Sequence, residues 1–347
     1  MAKQGLTTKN IPNLVKKENS WALCVGSGIS TPLFPLWDSL AKKILHKCAP
    51  EADVLFDELS KKMSPEVILQ AAIEYAGKNH NDFSKELADT LYEDLFKDIS
   101  PTDEKIIRQC LTSDPGSLDI NWKRYLSIIR EKTTNGLTAL YLAESVLQLK
   151  YKDHAPSSIL SFNAEMLLGS LMNAIAHEDY GEKKKFFDYM IEPTSNHERY
   201  RIPYYFCHGV IPVPGTWNKA RDMFNADDRL VFLENEYLQL ANSSFSWQSS
   251  AFLNTLTSHT VFFVGLSFVD PNIRRWLAWI QEERLASLRK KGVSNVSSTS
   301  HYWIEIKPKN TIQMRMIESS VSHLGIRIIW IDDWKDVSVV LEKCINI

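Results

Sequence analysis

Four short stretches of this 347-residue chain hold groups that could do chemistry together. The first is Gly26-Ser27-Gly28-Ile29-Ser30, directly after the apolar run Trp21-Ala22-Leu23-Cys24-Val25. Glycines let a backbone approach a pyrophosphate closely, and exposed amides with the hydroxyls of Ser27 and Ser30 could donate hydrogen bonds to it. Taken alone the loop reads equally as a tight turn leaving a buried strand, because Thr31 stands where a third glycine would complete the G-x-G-x-x-G pattern. The second stretch, Ile159-Leu160-Ser161-Phe162-Asn163-Ala164-Glu165, ends an apolar run in an amide. The third, Tyr204-Tyr205-Phe206-Cys207-His208-Gly209, ends one in an imidazole. The fourth, Phe262 to Asp270, passes through Gly265 and Ser267. Open α/β sheets bind ligands at the carboxyl ends of their strands, so these four ends would face one crevice.

Such positioning requires parallel strands joined by helices. Trp21–Val25 reads as a buried parallel strand, and Leu36–Cys48, with Leu36, Leu40, Ile44 and Leu45 at helical spacing behind Pro35, reads as the helix after it. Residues 51–150 show helical periodicity with turn signals at Asp114-Pro115-Gly116 and Asn135-Gly136, and Asn121–Ile129 reads as an amphipathic helix. Strand character returns at Ser158–Phe162, Ile202–Cys207, Thr260–Val264, His301–Ile306 and Gly325–Trp330, mostly with helices between. The pattern predicts an α/β fold, a doubly wound Rossmann-like parallel sheet with a helical insertion. Residues 1–50 would form the first part of the sheet domain, 51–150 the insertion and 151–347 the remainder. The serine-rich Val293–Ser300 reads as a loop, and no internal repeat is evident.

Composition narrows the function. Lys plus Arg number 40 against 42 Asp plus Glu, so the net charge of -2 gives no reason to expect a nucleic-acid partner. The basic runs Lys183-Lys184-Lys185 and Arg289-Lys290-Lys291 read as solvated helix ends. Five cysteines stand singly without C-x-x-C spacing, which argues against a zinc ribbon and fits a reducing compartment. The first twenty residues lack a signal-peptide core, and the longest apolar stretch, Val261–Phe268, is too short to span a bilayer. The expectation is a cytoplasmic protein without a membrane role.

The ordered set of motifs resembles the sirtuin superfamily, and more closely its NAD-cleaving branch in bacterial anti-phage systems. The stretches LWDSL near residue 38, LENEYLQL near 237 and SFVDPNIRRWL near 270 share that likeness, which covers about Trp21 to Trp330 apart from the helical region. The resemblance implies that Gly26, Ser27, Gly28, Ile29 and Ser30 bind the NAD phosphates. It implies Asn163 at the nicotinamide ribose, His208 as the catalytic histidine, and Gly265 with Ser267 at the adenosine ribose and phosphates. Glu165 replaces the family's aspartate, and Phe34 stands in the loop that covers nicotinamide in deacylases. The deacylases carry a four-cysteine zinc module between the histidine and the G-x-S strand, whereas residues 209–264 here contain no cysteine.

The implied activity is NAD glycohydrolysis to nicotinamide and ADP-ribose, with NAD as substrate, no metal, and depletion of NAD as an abortive-infection effector. Asn163 would hold the attacking water or ribose hydroxyls, and His208 would act as general base. A homo-oligomer and a HerA-type ATPase partner are the expected means of restraint. A protein deacylase and a non-catalytic NAD or ADP-ribose sensor are the alternatives. Cys207 should point away from His208 into the core, Asp270 should cap the helix that starts near Asn272, and Trp276, Trp279, Trp330 and Trp334 should pack in the core or an interface.

Overall fold

Every position of Trp21–Val25 is apolar, so this strand is stable only where both faces of a sheet are covered. The strands are β1 (Leu6–Thr7), β2 (Trp21–Val25), β3 (Ile159–Ser161), β4 (Phe187–Met190), β5 (Ile202–Phe206), β6 (Thr260–Val264), β7 (His301–Ile306) and β8 (Ile326–Ile331). In the computed structural model they pair in the order β1-β8-β7-β6-β2-β3-β5-β4, all parallel. The structure describes residues 4–15, 20–113, 117, 120–192, 195, 197–215, 230–242, 246–293 and 299–345.

Parallel neighbours need crossovers, and helices supply them. The first is α1 (Trp37–Cys48). Then follow α2 (Phe56–Leu59), α3 (Pro65–Ala76), α4 (His80–Leu91), α5 (Glu93–Phe96), α6 (Pro101–Leu111), α7 (Trp122–Lys132) and α8 (Thr138–Lys150), with no strand among the described residues between β2 and β3. Beyond β3 come α9 (Leu167–Tyr180), α10 (Glu234–Asn242), α11 (Trp247–Ser258), α12 (Pro271–Lys290), α13 (Thr311–Ser322) and α14 (Val337–Ile345). Successive side chains of a strand point to opposite faces, and β2 shows the result. Leu23 and Val25 enter a core with Ile44, Leu69, Leu142, Leu171 and Leu341, while Ala22 and Cys24 enter a second core with Leu240, Phe252, Trp276 and Val321. Helices therefore cover both faces, as a doubly wound α/β sheet requires.

Several local expectations change. Leu36 stays extended (φ -68, ψ 164) and 46% exposed, so α1 starts at Trp37 and its core face is Leu40, Ala41, Ile44 and Leu45. The edge strands β1 and β4 carry weak signals: β1 is two residues long, and β4 contains Asp188, whose buried carboxylate accepts from Arg201 at 3.1 Å and from the Glu198 amide. Lys183-Lys184-Lys185 lies on the connection after α9, beyond its left-handed Gly181 cap, whereas Arg289-Lys290-Lys291 does end α12. Trp276 and Trp330 are buried and Trp334 packs partly buried, but Trp279 is exposed beneath the Arg275 guanidinium at 5.2 Å. Asp114-Pro115-Gly116 and most of Val293–Ser300 lie outside the described residues. No helix among the described residues is long and apolar enough to cross a membrane.

The helices between β2 and β3 share one apolar core with the sheet. Two buried hydroxyls add polar ties: Tyr92 donates to the Ile211 carbonyl at 3.0 Å, just past His208, and Tyr125 pairs with Ser170 of α9 at 2.6 Å. Removing the donor of a buried hydrogen bond leaves its acceptor dry, at about 1–3 kcal/mol. Tyr92→Phe should lower the unfolding free energy by about that amount, read as a lower urea midpoint at unchanged slope.

Candidate active site

The central strands β6, β2, β3 and β5 end side by side, and chain order reverses around β2. This is the switch point at which open α/β sheets form their crevice. Ser161 pairs with Phe206, so Asn163 and His208 each sit two residues beyond a registered pair on adjacent strands. The glycine loop follows β2, and Gly265 follows β6.

The loop is a 3-10 turn over Ser27–Ile29. Gly28 N–H donates to the Gly265 carbonyl at 3.0 Å, Ile29 N–H to Gly26 at 3.2 Å and Ser30 N–H to Ser27 at 3.1 Å. Its glycines permit a close approach of two backbones: a Cβ on Gly26 would fall 2.7 Å from the Gly265 carbonyl, and one on Gly265 would fall 2.6 Å from the Ile29 nitrogen. Gly265 also has φ +67, a region glycine enters without strain. These amides are thus satisfied within the chain, and Ser27 and Ser267 are the hydroxyls at the crevice that retain solvent exposure.

Ser30 turns inward. Its hydroxyl is buried, donates to Glu165 Oε1 at 2.5 Å, and accepts from Asn163 Nδ2 at 3.1 Å. Asn163 Nδ2 also donates to Glu165 Oε1 at 2.8 Å, and the Leu167 amide at the start of α9 donates to Glu165 Oε2. Glu165, 3% exposed, therefore acts in this structure as an anchor for the asparagine. Burial pushes its carboxyl above the usual range, opposed by the three donors. With Nδ2 held twice, Asn163 Oδ1 is fixed in direction, buried and without a partner.

His208 is 8% exposed, and its ring meets the edges of Phe162 at 4.9 Å and of Tyr237, on α10, at 5.5 Å. Gly209 at φ 79 turns the chain away behind it. Nε2 is buried without a hydrogen bond, 3.5 Å from Asp270 Oδ2, which also lacks one. Burial holds the imidazole below its ordinary range, and the Asp270 charge pulls it partly back. A neutral imidazole at neutral pH is a competent base. Asp270 caps α12 as expected, and Cys207 is buried in the second core. Phe34 is buried edge-on to Tyr92 at 5.3 Å, beneath the loop. Tyr237 and Phe162 frame His208 with no sequence signal: an aromatic beside an apolar run reads as core. Among the described residues no three His, Cys, Asp or Glu side chains converge as a metal site.

A carboxyl raised on folding is held protonated more strongly in the folded state, so its contribution to stability falls as pH rises from the ordinary glutamate value through the raised one. Glu165→Gln cannot titrate. The stability difference between wild type and Glu165→Gln should shift against wild type as pH rises above the ordinary glutamate range of about 4, measured by urea midpoints.

Residues 170–329 match the family model of the SIR2-like domain, a span that includes His208, Gly265, Ser267 and Asp270 and begins after Asn163 and Glu165. No curated protein matches the chain. The parallel sheet with helices on both faces agrees with that domain, and together they support a sirtuin-like family with NAD-related activity.

Proposed function

We propose that the chain is an NAD glycohydrolase that releases nicotinamide and leaves ADP-ribose. The observation that carries this reading is the buried, unpartnered amide oxygen Asn163 Oδ1, on the strand end adjacent to the one that carries the buried His208 imidazole. A folded protein satisfies nearly all such groups, and those left open mark where a ligand's hydroxyls or a water would be held. An amide acceptor beside a neutral imidazole suits activation of an O–H group.

In the proposed reaction, water forms a bond to the anomeric carbon of the nicotinamide ribose as the C–N glycosidic bond breaks. Nicotinamide leaves with the bonding electron pair and becomes neutral, so it requires no acid. The imidazole of His208 takes a proton from the attacking water or an adjacent ribose hydroxyl and returns it to solvent. Asn163 orients that oxygen through Oδ1, itself aimed by Ser30 and Glu165. Ser27 and Ser267 are the hydroxyls available to the phosphates and the adenosine ribose. Hydrolysis is preferred to deacylation because residues 209–264 contain no cysteine for the zinc module of deacylases. The wider proposal is an anti-phage effector in the cytoplasm that depletes NAD and is restrained by self-assembly and a HerA-type ATPase.

The test is nicotinamide release from NAD by the purified chain, alone and with a candidate ATPase. Asn163→Ala and His208→Ala should each lower turnover about 100- to 10,000-fold with the fold intact by circular dichroism. NAD binding without release under every condition would favour a sensor over an enzyme.

A further inference from the structure

Asp270 does two things with two oxygens. Oδ1 accepts from the Asn272 and Ile273 amides at 2.7 and 3.3 Å, which is the N-cap of α12. Oδ2 is buried, makes no hydrogen bond, and stands 3.5 Å from His208 Nε2, equally buried and unbonded. A helix cap alone needs one oxygen, and serine or asparagine would serve it without placing a second buried acceptor beside a histidine.

The sequence brings these residues together from β5 and β6, which are separated in the sheet by β3 and β2. The connection that carries Asp270 across is firmly held. Gly265 starts it at φ +67, and Phe268 continues it at φ 53 with its ring buried 5.0 Å from Phe263 and 4.8 Å from Trp303. A non-glycine residue keeps a left-handed backbone only where its surroundings determine it. The Arg274 guanidinium then donates to the Phe268 carbonyl at 3.4 Å, and Pro271 opens the helix. With Oδ1 spent on the cap, the direction of Oδ2 is no longer free.

We infer that Asp270 is a positioning residue for His208: it holds the neutral ring with its proton on Nε2, facing Oδ2, and so leaves Nδ1 as the basic nitrogen. A neutral imidazole has one donor and one acceptor, and a carboxylate can only accept, so the nitrogen that faces Oδ2 is the one that carries hydrogen. When Nδ1 takes a proton the ring becomes a cation, and the adjacent carboxylate stabilises it. Among the described residues the other titratable group whose ring meets the imidazole is the Tyr237 phenol, which burial, with the charges of Asp270, Glu66 and Glu236, pushes well above its ordinary range. Tyr237 therefore stays neutral, and Asp270 supplies the negative charge at the imidazole.

The kinetic part of the test rests on the hydrolase reading, whereas the spectroscopic part does not. In chain labelled with 15N-histidine, the His208 signals, identified by their loss in His208→Gln, should report the Nε2–H tautomer. Asp270→Asn keeps an oxygen for the cap but offers an amide donor to Nε2. It should move the proton to Nδ1, lower kcat about 100-fold or more with KM within about twofold, and shift the acid limb of the pH profile downward. Asp270→Ser keeps the cap without the second oxygen and should lower kcat about 10-fold or more at unchanged melting temperature. A wild-type Nδ1–H tautomer, or unchanged His208 signals in Asp270→Asn, would overturn the inference. So would wild-type turnover in both variants. If the wild-type chain releases no nicotinamide, the tautomer measurement alone decides.

Discussion

The buried carboxylate of Glu165 is the constraint on which the crevice depends. It receives Ser30 from the loop after β2, Asn163 from the end of β3, and the Leu167 amide from the first turn of α9. The ends of two strands and the first turn of α9 are thereby tied to one carboxyl group. A carboxylate so deep is tolerable only because every donor near it is aimed at it.

The same network explains why the crevice is polarised. On its satisfied side, Ser30, Glu165 and Asn163 Nδ2 saturate one another. On its open side, Asn163 Oδ1 is buried without a partner, and His208 Nε2 and Asp270 Oδ2 are buried 3.5 Å apart. Desolvated acceptors and an unbonded imidazole nitrogen oppose folding, and the surrounding core offsets them: Phe162, Phe252 and Trp276 pack in series behind the histidine. Stability is drawn from apolar packing, so that a few polar atoms can remain available for chemistry.

The glycines have a tertiary meaning besides any contact with phosphate. Gly26, Gly28 and Gly265 let the loops after β2 and β6 touch backbone to backbone, which leaves the amides of Gly28, Ile29 and Ser30 engaged within the chain. Side chains at those positions would separate the two strand ends that flank the switch point. Asn163 and His208 follow the adjacent strands β3 and β5, each two residues beyond the registered pair Ser161 and Phe206.

By itself the sequence determined the alternating architecture, the four central strand ends and the residues on them. Those signals are local: unbroken apolar runs such as Trp21–Val25 and Val261–Val264 demand burial on both faces, and glycine or polar residues end them abruptly. The edge strands β1 and β4 were not legible, since a two-residue strand has no period and Asp188 interrupts the other. Only the tertiary structure decided that Ser30 faces Glu165, that Tyr237 frames His208, and that the cap residue Asp270 lends its second oxygen to a histidine 62 positions earlier in the chain (270 less 208). The pattern around Asp270 is complete as a helix start, so nothing local marks its other role. Such pairings depend on which strands lie between them and on where buried groups find partners, and both are properties of the packed sheet.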